Sequence, residues 1–132
     1  MKVDGACHCG AIQFDAEIDP NQVVICHCTD CQTFSSAPYR VSIFGVPLGD
    51  VQVKGDPTFY TKIGGGGKEV FSAFCGTCGT ALYSTKNLAE GPVNLRIGVL
   101  NQRNELTPKM QGFCSSSLAW TTDLESIHKV PE

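Results

Sequence analysis

Apolar and polar residues alternate along much of the chain with a period of two. Ile12, Phe14 and Ala16 are spaced by Gln13 and Asp15 and followed by Glu17, the pattern of a strand with one buried face. Val93, Leu95, Ile97 and Val99 alternate with Asn94, Arg96 and Gly98, the clearest strand in the sequence. Further strands are predicted at Val41–Phe44, Val51–Lys54, Phe59–Ile63, Glu69–Phe74 and Ala81–Ser84. Gly45, Pro47, Gly49, Gly55, Pro57 and Gly91-Pro92 punctuate them. No apolar stripe of helical period persists over three turns. One short helix is expected from Thr29, a plausible cap, towards Phe34. The pattern predicts a single all-β domain over residues 1–132, with seven or more strands. Gly64-Gly65-Gly66-Gly67 joins two of them; lacking a GK[ST] signature or a following helix, it reads as a mobile hairpin loop, not a phosphate cradle.

Composition adds a compartment. Hydrophobic residues make up 42% of the 132 and charged residues 17%, a globular balance. No apolar run approaches the ~20 residues that span a bilayer, and Met1–Gly10 has no apolar signal segment. The expected location is the cytoplasm, where thiols stay reduced. Eight cysteines then call for metal. Cys7 and Cys9, like Cys26 and Cys28, stand one residue apart, which suits shared coordination; a disulfide network is the alternative. The formal charge is −3; seven thiolates and two zinc ions add −7 + 4 = −3, giving about −6. Cations are scattered, at Arg40, Lys54, Lys62, Lys68, Arg96 and Arg103. Nucleic acid and anionic membrane are poor partners for such a surface.

The cysteines fall into three clusters and a singleton. On extended backbone Cys7 and Cys9 point to the same side, and the C-x-x-C turn at Cys75–Cys78 converges two more sulfurs. Together they supply the four thiolates of a closed structural zinc site. Cys26, Cys28 and Cys31 form a C-x-C-x-x-C that can cap one face of a second zinc and leave a position for solvent or substrate, the mark of a catalytic site. A second structural site, closed by His27 or Cys114, is the other reading. His8 and His27 each sit between ligand cysteines and read as packing or surface residues, with His27 able to support a ligand from behind. Asp30 is either a proton relay or a first-turn carboxylate stabilising the helix. Cys114 reads as an inert thiol, with a redox or ligand role as the alternative.

These pieces resemble the glutathione-dependent formaldehyde-activating enzyme family, whose domain also occurs in centromere protein V. The matching stretches are G-A-C-H-C-G-A-I-Q-F at Gly5–Phe14, C-H-C-T-D-C at Cys26–Cys31, F-C-G-T-C-G-T-A-L-Y at Phe74–Tyr83, and S-S-S-L-A-W ending at Trp120. The resemblance implies a β-tent fold, shared with methionine sulfoxide reductase B, built of antiparallel sheets tied by zinc. It implies structural zinc on Cys7, Cys9, Cys75 and Cys78, and catalytic zinc on Cys26, Cys28 and Cys31. The implied reaction is reversible condensation of formaldehyde with glutathione, a carbon–sulfur lyase activity. Two positions depart from the family pattern: Ala81 replaces a proline, and Gln111–Cys114 lacks a histidine common in relatives.

Three classes follow: a zinc-dependent lyase acting on glutathione or other thiol adducts, a zinc-stabilised binding module without chemistry, and a thiol reductase using Cys114. For the first, Arg40 and Arg96 are the foremost cations to hold the carboxylates of glutathione.

Overall fold

The computed structural model describes residues 1–132. Strands β1 (Lys2–Ala6), β2 (Gln13–Glu17) and β5 (Val51–Lys54) form a three-stranded antiparallel sheet in the order β1-β2-β5. A second sheet is built from β3 (Val23–Cys26), β4 (Arg40–Val46), β6 (Thr58–Ile63), β7 (Glu69–Phe74), β8 (Ala81–Thr85), β9 (Val93–Arg96) and β10 (Met110–Gly112). Its seven strands run β10-β3-β4-β9-β8-β7-β6. Every pairing is antiparallel except one: β10 lies parallel to β3, with Gly112 opposite Cys26. The all-β expectation holds, but the large sheet is mixed. A strand arriving from so far along the chain is free of the hairpin constraint that enforces antiparallel neighbours.

The core lies between the sheets. Phe14 and Ala16 of β2 turn inwards while Gln13, Asp15 and Glu17 stay exposed, as period-two burial requires. They meet Ile43, Leu82, Val93 and Leu95 of the large sheet in one apolar cluster. The predicted strand Val93–Val99 is shorter than its alternation suggests: β9 ends at Arg96, and Ile97–Val99 form a 3-10 turn. Val99 remains buried there, but the alternation of burial breaks at Arg96, which is buried, and at Ile97, which is only partly so. Gly5 then pairs with Leu100 and ties the small sheet to this turn. A side chain at Gly5 would overlap the Val99 carbonyl oxygen, so this approach demands glycine.

The one α-helix, α1 (Thr29–Ser35), falls where it is expected, but its cap is Cys28 and not Thr29. The Cys28 Sγ accepts the backbone N–H of Cys31 at 3.3 Å. Ser36 ends the helix in the left-handed region, at φ 49°. Gly64–Gly67 lie in the β6–β7 hairpin loop, where Gly66 and Gly67 take φ of 80° and 78°, a conformation open to glycine. No helix is long and apolar enough to cross a membrane.

Candidate metal centres

The sulfurs of Cys7, Cys9, Cys75 and Cys78 all lie within 4.8 Å of one another. Cys7 and Cys9 are 3.6 Å apart, and Cys9 and Cys75 are 3.8 Å apart. A zinc–thiolate tetrahedron with ~2.3 Å bonds has edges of about 3.8 Å, so the donor set fits such an ion. The route by which Cys7 and Cys9 converge is not the expected strand, because β1 ends at Ala6. They share a turn instead: Gly10 N–H donates to the Cys7 carbonyl at 3.0 Å, with Gly10 at φ 81°. The Cys75–Cys78 turn closes the same way. Gly79 N–H donates to Cys75 O at 2.8 Å, and Gly79 has φ 77°.

Donors to sulfur favour the thiolate form that a metal needs. Ile12 N–H donates to Cys7 Sγ at 3.2 Å. The Thr80 hydroxyl, 3.1 Å from Cys78 Sγ, is the main cause that holds that thiol down at about 5, with help from backbone donors. Thr80 Oγ1 also accepts the His8 N–H at 3.1 Å, linking the two halves of the centre. The His8 side chain is exposed, as its position between ligands suggests.

The second set comprises Cys26, Cys28 and Cys31, again within 4.8 Å of one another. The end of β3, the cap of α1 and its first turn deliver one sulfur each. Burial foremost, then the Cys28 and Cys26 sulfurs, push the Cys31 thiol up to about 12. Burial also acts against Cys28, but hydrogen bonds from Cys31 and the charge of Arg40 outweigh it and hold Cys28 below its ordinary value. The cluster thus shares negative charge among crowded sulfurs, and a divalent cation suits that donor set.

Neither His27 nor Cys114 joins this set. His27 is buried, with its ring edge-on to Tyr39 at a centroid distance of 5.4 Å. Its Nε2 donates to Gln111 Oε1 at 2.7 Å, and its Nδ1 is buried without a hydrogen-bond partner. The Gln111–Cys114 segment therefore packs beside the Cys26–Cys31 stretch through β10, with Gly112 opposite Cys26. Gln32 Nε2 fastens it from α1, donating to His27 O at 2.8 Å and Ser116 O at 3.0 Å. Cys114 is exposed on the following turn. Asp30 lies in the first turn of α1 and forms an ion pair with Lys62 of β6.

Cations surround the three sulfurs. Arg40 stands opposite Cys26 across the β3–β4 ladder, and Ser42 stands opposite Arg96 across β4–β9. Residues two apart on β4 share a face, so Cys26, Arg40, Ser42 and Arg96 occupy one side of the sheet. Arg96 is only 6% exposed, and its Nη1 donates to Ser42 Oγ at 2.7 Å and Asn94 O at 3.1 Å. Burial, reinforced by Arg40, lowers its pKa to about 9. Arg40 lies over the Phe34 ring, 5.7 Å from its centroid. Two adjoining cavities, about 530 and 310 Å³, both include Phe34, Arg40 and Arg96 in their walls. The sequence marks the arginines, but not the ladder register that groups them with Cys26.

The sequence profile described as glutathione-dependent formaldehyde-activating enzyme matches residues 2–116. The chain belongs to this family. The match contains both sulfur sets of the formaldehyde-activating domain and ends before Trp120, the last residue of the expected motif. Among solved structures, the crystal structure of a Rhodobacter sphaeroides protein from a structural genomics programme is similar, with a TM-score of 0.62 at 22% identity. The alignment covers 84% of this chain and 99% of that one, and it supports the shared fold. No curated protein gives a significant match.

Proposed function

We propose that this protein makes and breaks carbon–sulfur bonds in thiol adducts, with glutathione and formaldehyde as the pair the family is named for. The observation that carries the reading is a three-sulfur set, separate from a four-sulfur set, in which the cross-strand neighbour of Cys26 is Arg40, a wall of two cavities shared with Arg96. Cys7, Cys9, Cys75 and Cys78 would hold a structural zinc, and Cys26, Cys28 and Cys31 a catalytic one. When bound at the three sulfurs, zinc supplies Lewis acidity that lowers the pKa of an approaching thiol.

The chain's own residues supply placement. The capping hydrogen bond of α1, from the Cys31 backbone N–H, holds the Cys28 sulfur in place. The Asp30–Lys62 pair clasps α1 to the edge strand β6. Arg40 and Phe34 form a stacked wall shared by both cavities. In the condensation, the thiol sulfur bonds to the formaldehyde carbon, the carbonyl π bond opens onto oxygen, and the thiol's proton ends on the new hydroxyl. The reverse step returns it to sulfur. Seven reduced cysteines fit the reducing environment of the cytoplasm, which we take as the working location.

Exchange NMR between formaldehyde and S-hydroxymethylglutathione tests this, with Cys28→Ser as the control. The expected result is exchange faster than the uncatalysed rate, lost in the variant while the fold is kept. Saturable glutathione binding without acceleration would redirect the proposal to another thiol adduct. No binding of any small thiol to zinc-loaded protein would leave the binding-module reading, or a reductase using Cys114.

A further inference from the structure

We propose that Arg96 and Arg40 form an anion anchor that makes the site select thiol adducts carrying a carboxylate. The proposal rests on the reading of Cys26, Cys28 and Cys31 as the place where thiol adducts react. It adds which adducts are accepted, and which residues choose them.

The case begins with the ion pairs. The structure contains three: Met1 with Glu17, Lys62 with Asp30, and Lys129 with Glu125. Neither Arg40 nor Arg96 belongs to any of them, although Arg96 is almost wholly buried. A buried guanidinium without a carboxylate is costly, and folds seldom keep one without a use. Ser42 and the Asn94 carbonyl occupy Nη1 of Arg96. Its remaining N–H groups make no hydrogen bond within the protein, and no buried unpartnered atom is found on Arg96. Those donors therefore open onto the cavities that Arg96 lines. A guanidinium presents donors in a planar fork that matches a carboxylate.

Position gives the anchor its meaning. Arg40 is the cross-strand neighbour of Cys26, so an anion held there lies close to the sulfur cluster. The larger cavity adds the hydroxyl-bearing Ser35, Ser36, Tyr39 and Thr80, a polar wall suited to a peptide-like body. The smaller adds Tyr60, Phe74 and Tyr83, a wall suited to an apolar group. A competing role for the arginines is to balance the thiolates of the centre itself. In that case they would affect all ligands alike.

Binding by the full-length, zinc-loaded protein separates these roles. The probes are S-methylglutathione, which has carboxylates but no free thiol, and its dialkyl ester. The anchor requires the acid to bind at least about tenfold more tightly than the ester, about 1.4 kcal/mol. Arg40→Met and Arg96→Met should each bring that ratio towards one. Arg96 is buried, so Arg40→Met, at a half-buried position, keeps the test intact if the first variant does not fold. Equal binding of acid and ester by the wild type overturns the anchor, as does absence of binding by both. So does a ratio that survives the substitutions, or variants that lose zinc with the ratio unchanged. Because the probes cannot react at sulfur, an acid preference without formaldehyde exchange refutes only the lyase. Exchange that ignores esterification refutes only the anchor.

Discussion

Cys75→Ser should cost this protein a large part of its stability, and the structure sets the scale. Cys75 brings its sulfur to Cys9 from 66 residues away, so an ion held there closes a loop of that length. The chain-entropy expression for a cross-link gives about 4 kcal/mol at 25 °C for such a loop. Domains of this size have stabilities of only about 5–15 kcal/mol. With a urea dependence near 2 kcal/mol/M, the midpoint should fall by about 2 M. By contrast, Cys28→Ser alters a cluster confined to Cys26–Cys31, where β3 and α1 are already covalent neighbours. It should cost clearly less and keep a cooperative transition. The assay is urea unfolding followed by circular dichroism, with zinc measured in each sample. A Cys75→Ser midpoint within about 0.5 M of the wild type would refute the staple, since that corresponds to only about 1 kcal/mol. Equal losses in both variants would make the second set structural as well.

Two further outcomes follow from the geometry. Gly5→Ala forces its Cβ into the Val99 carbonyl and should break the Gly5–Leu100 bridge, costing about 2–4 kcal/mol by strain and lost packing; a thermal melt unchanged within 2 °C would contradict this. Thr80→Val removes the hydroxyl that does most to hold Cys78 near 5, against an ordinary 9.0. A thiol depressed on folding contributes stability that is full above its unfolded value and fades as pH falls through the folded one. The variant's acid release of zinc, followed with a chromophoric chelator, should therefore begin at higher pH, and an unchanged midpoint would show that the hydroxyl is idle.

The parts legible in the sequence are those with local causes. β5 and β7 match their predicted bounds because alternation and flanking breakers act within a few residues. The two sulfur sets follow from spacing, since each C-x-C or C-x-x-C converges through its own turn. What escaped depends on distant partners or on chemistry that overrides propensity. β1 carries Gly5 on the face of the buried Val3, where a strand pattern expects a larger apolar residue, and Gly5 is required by the contact with Val99 and Leu100. β3 and β10 are too short to show a period, and their parallel pairing joins residues 86 apart, Cys26 and Gly112. Thr29 is a better cap by propensity than Cys28, but the Cys28 sulfur accepts the capping N–H. The grouping of Arg96 with Ser42, 54 residues apart, is visible only in the ladder.

The central claim is that seven cysteines build two separate metal centres, one of four sulfurs and one of three. Elemental analysis of reduced protein, purified without chelator, tests it most directly in the wild type and in Cys28→Ser. The account predicts close to two zinc ions per chain in the first and close to one in the second, with β-sheet circular dichroism retained. One zinc in the wild type, or the visible absorbance of an iron–sulfur cluster on these thiolates, would contradict it.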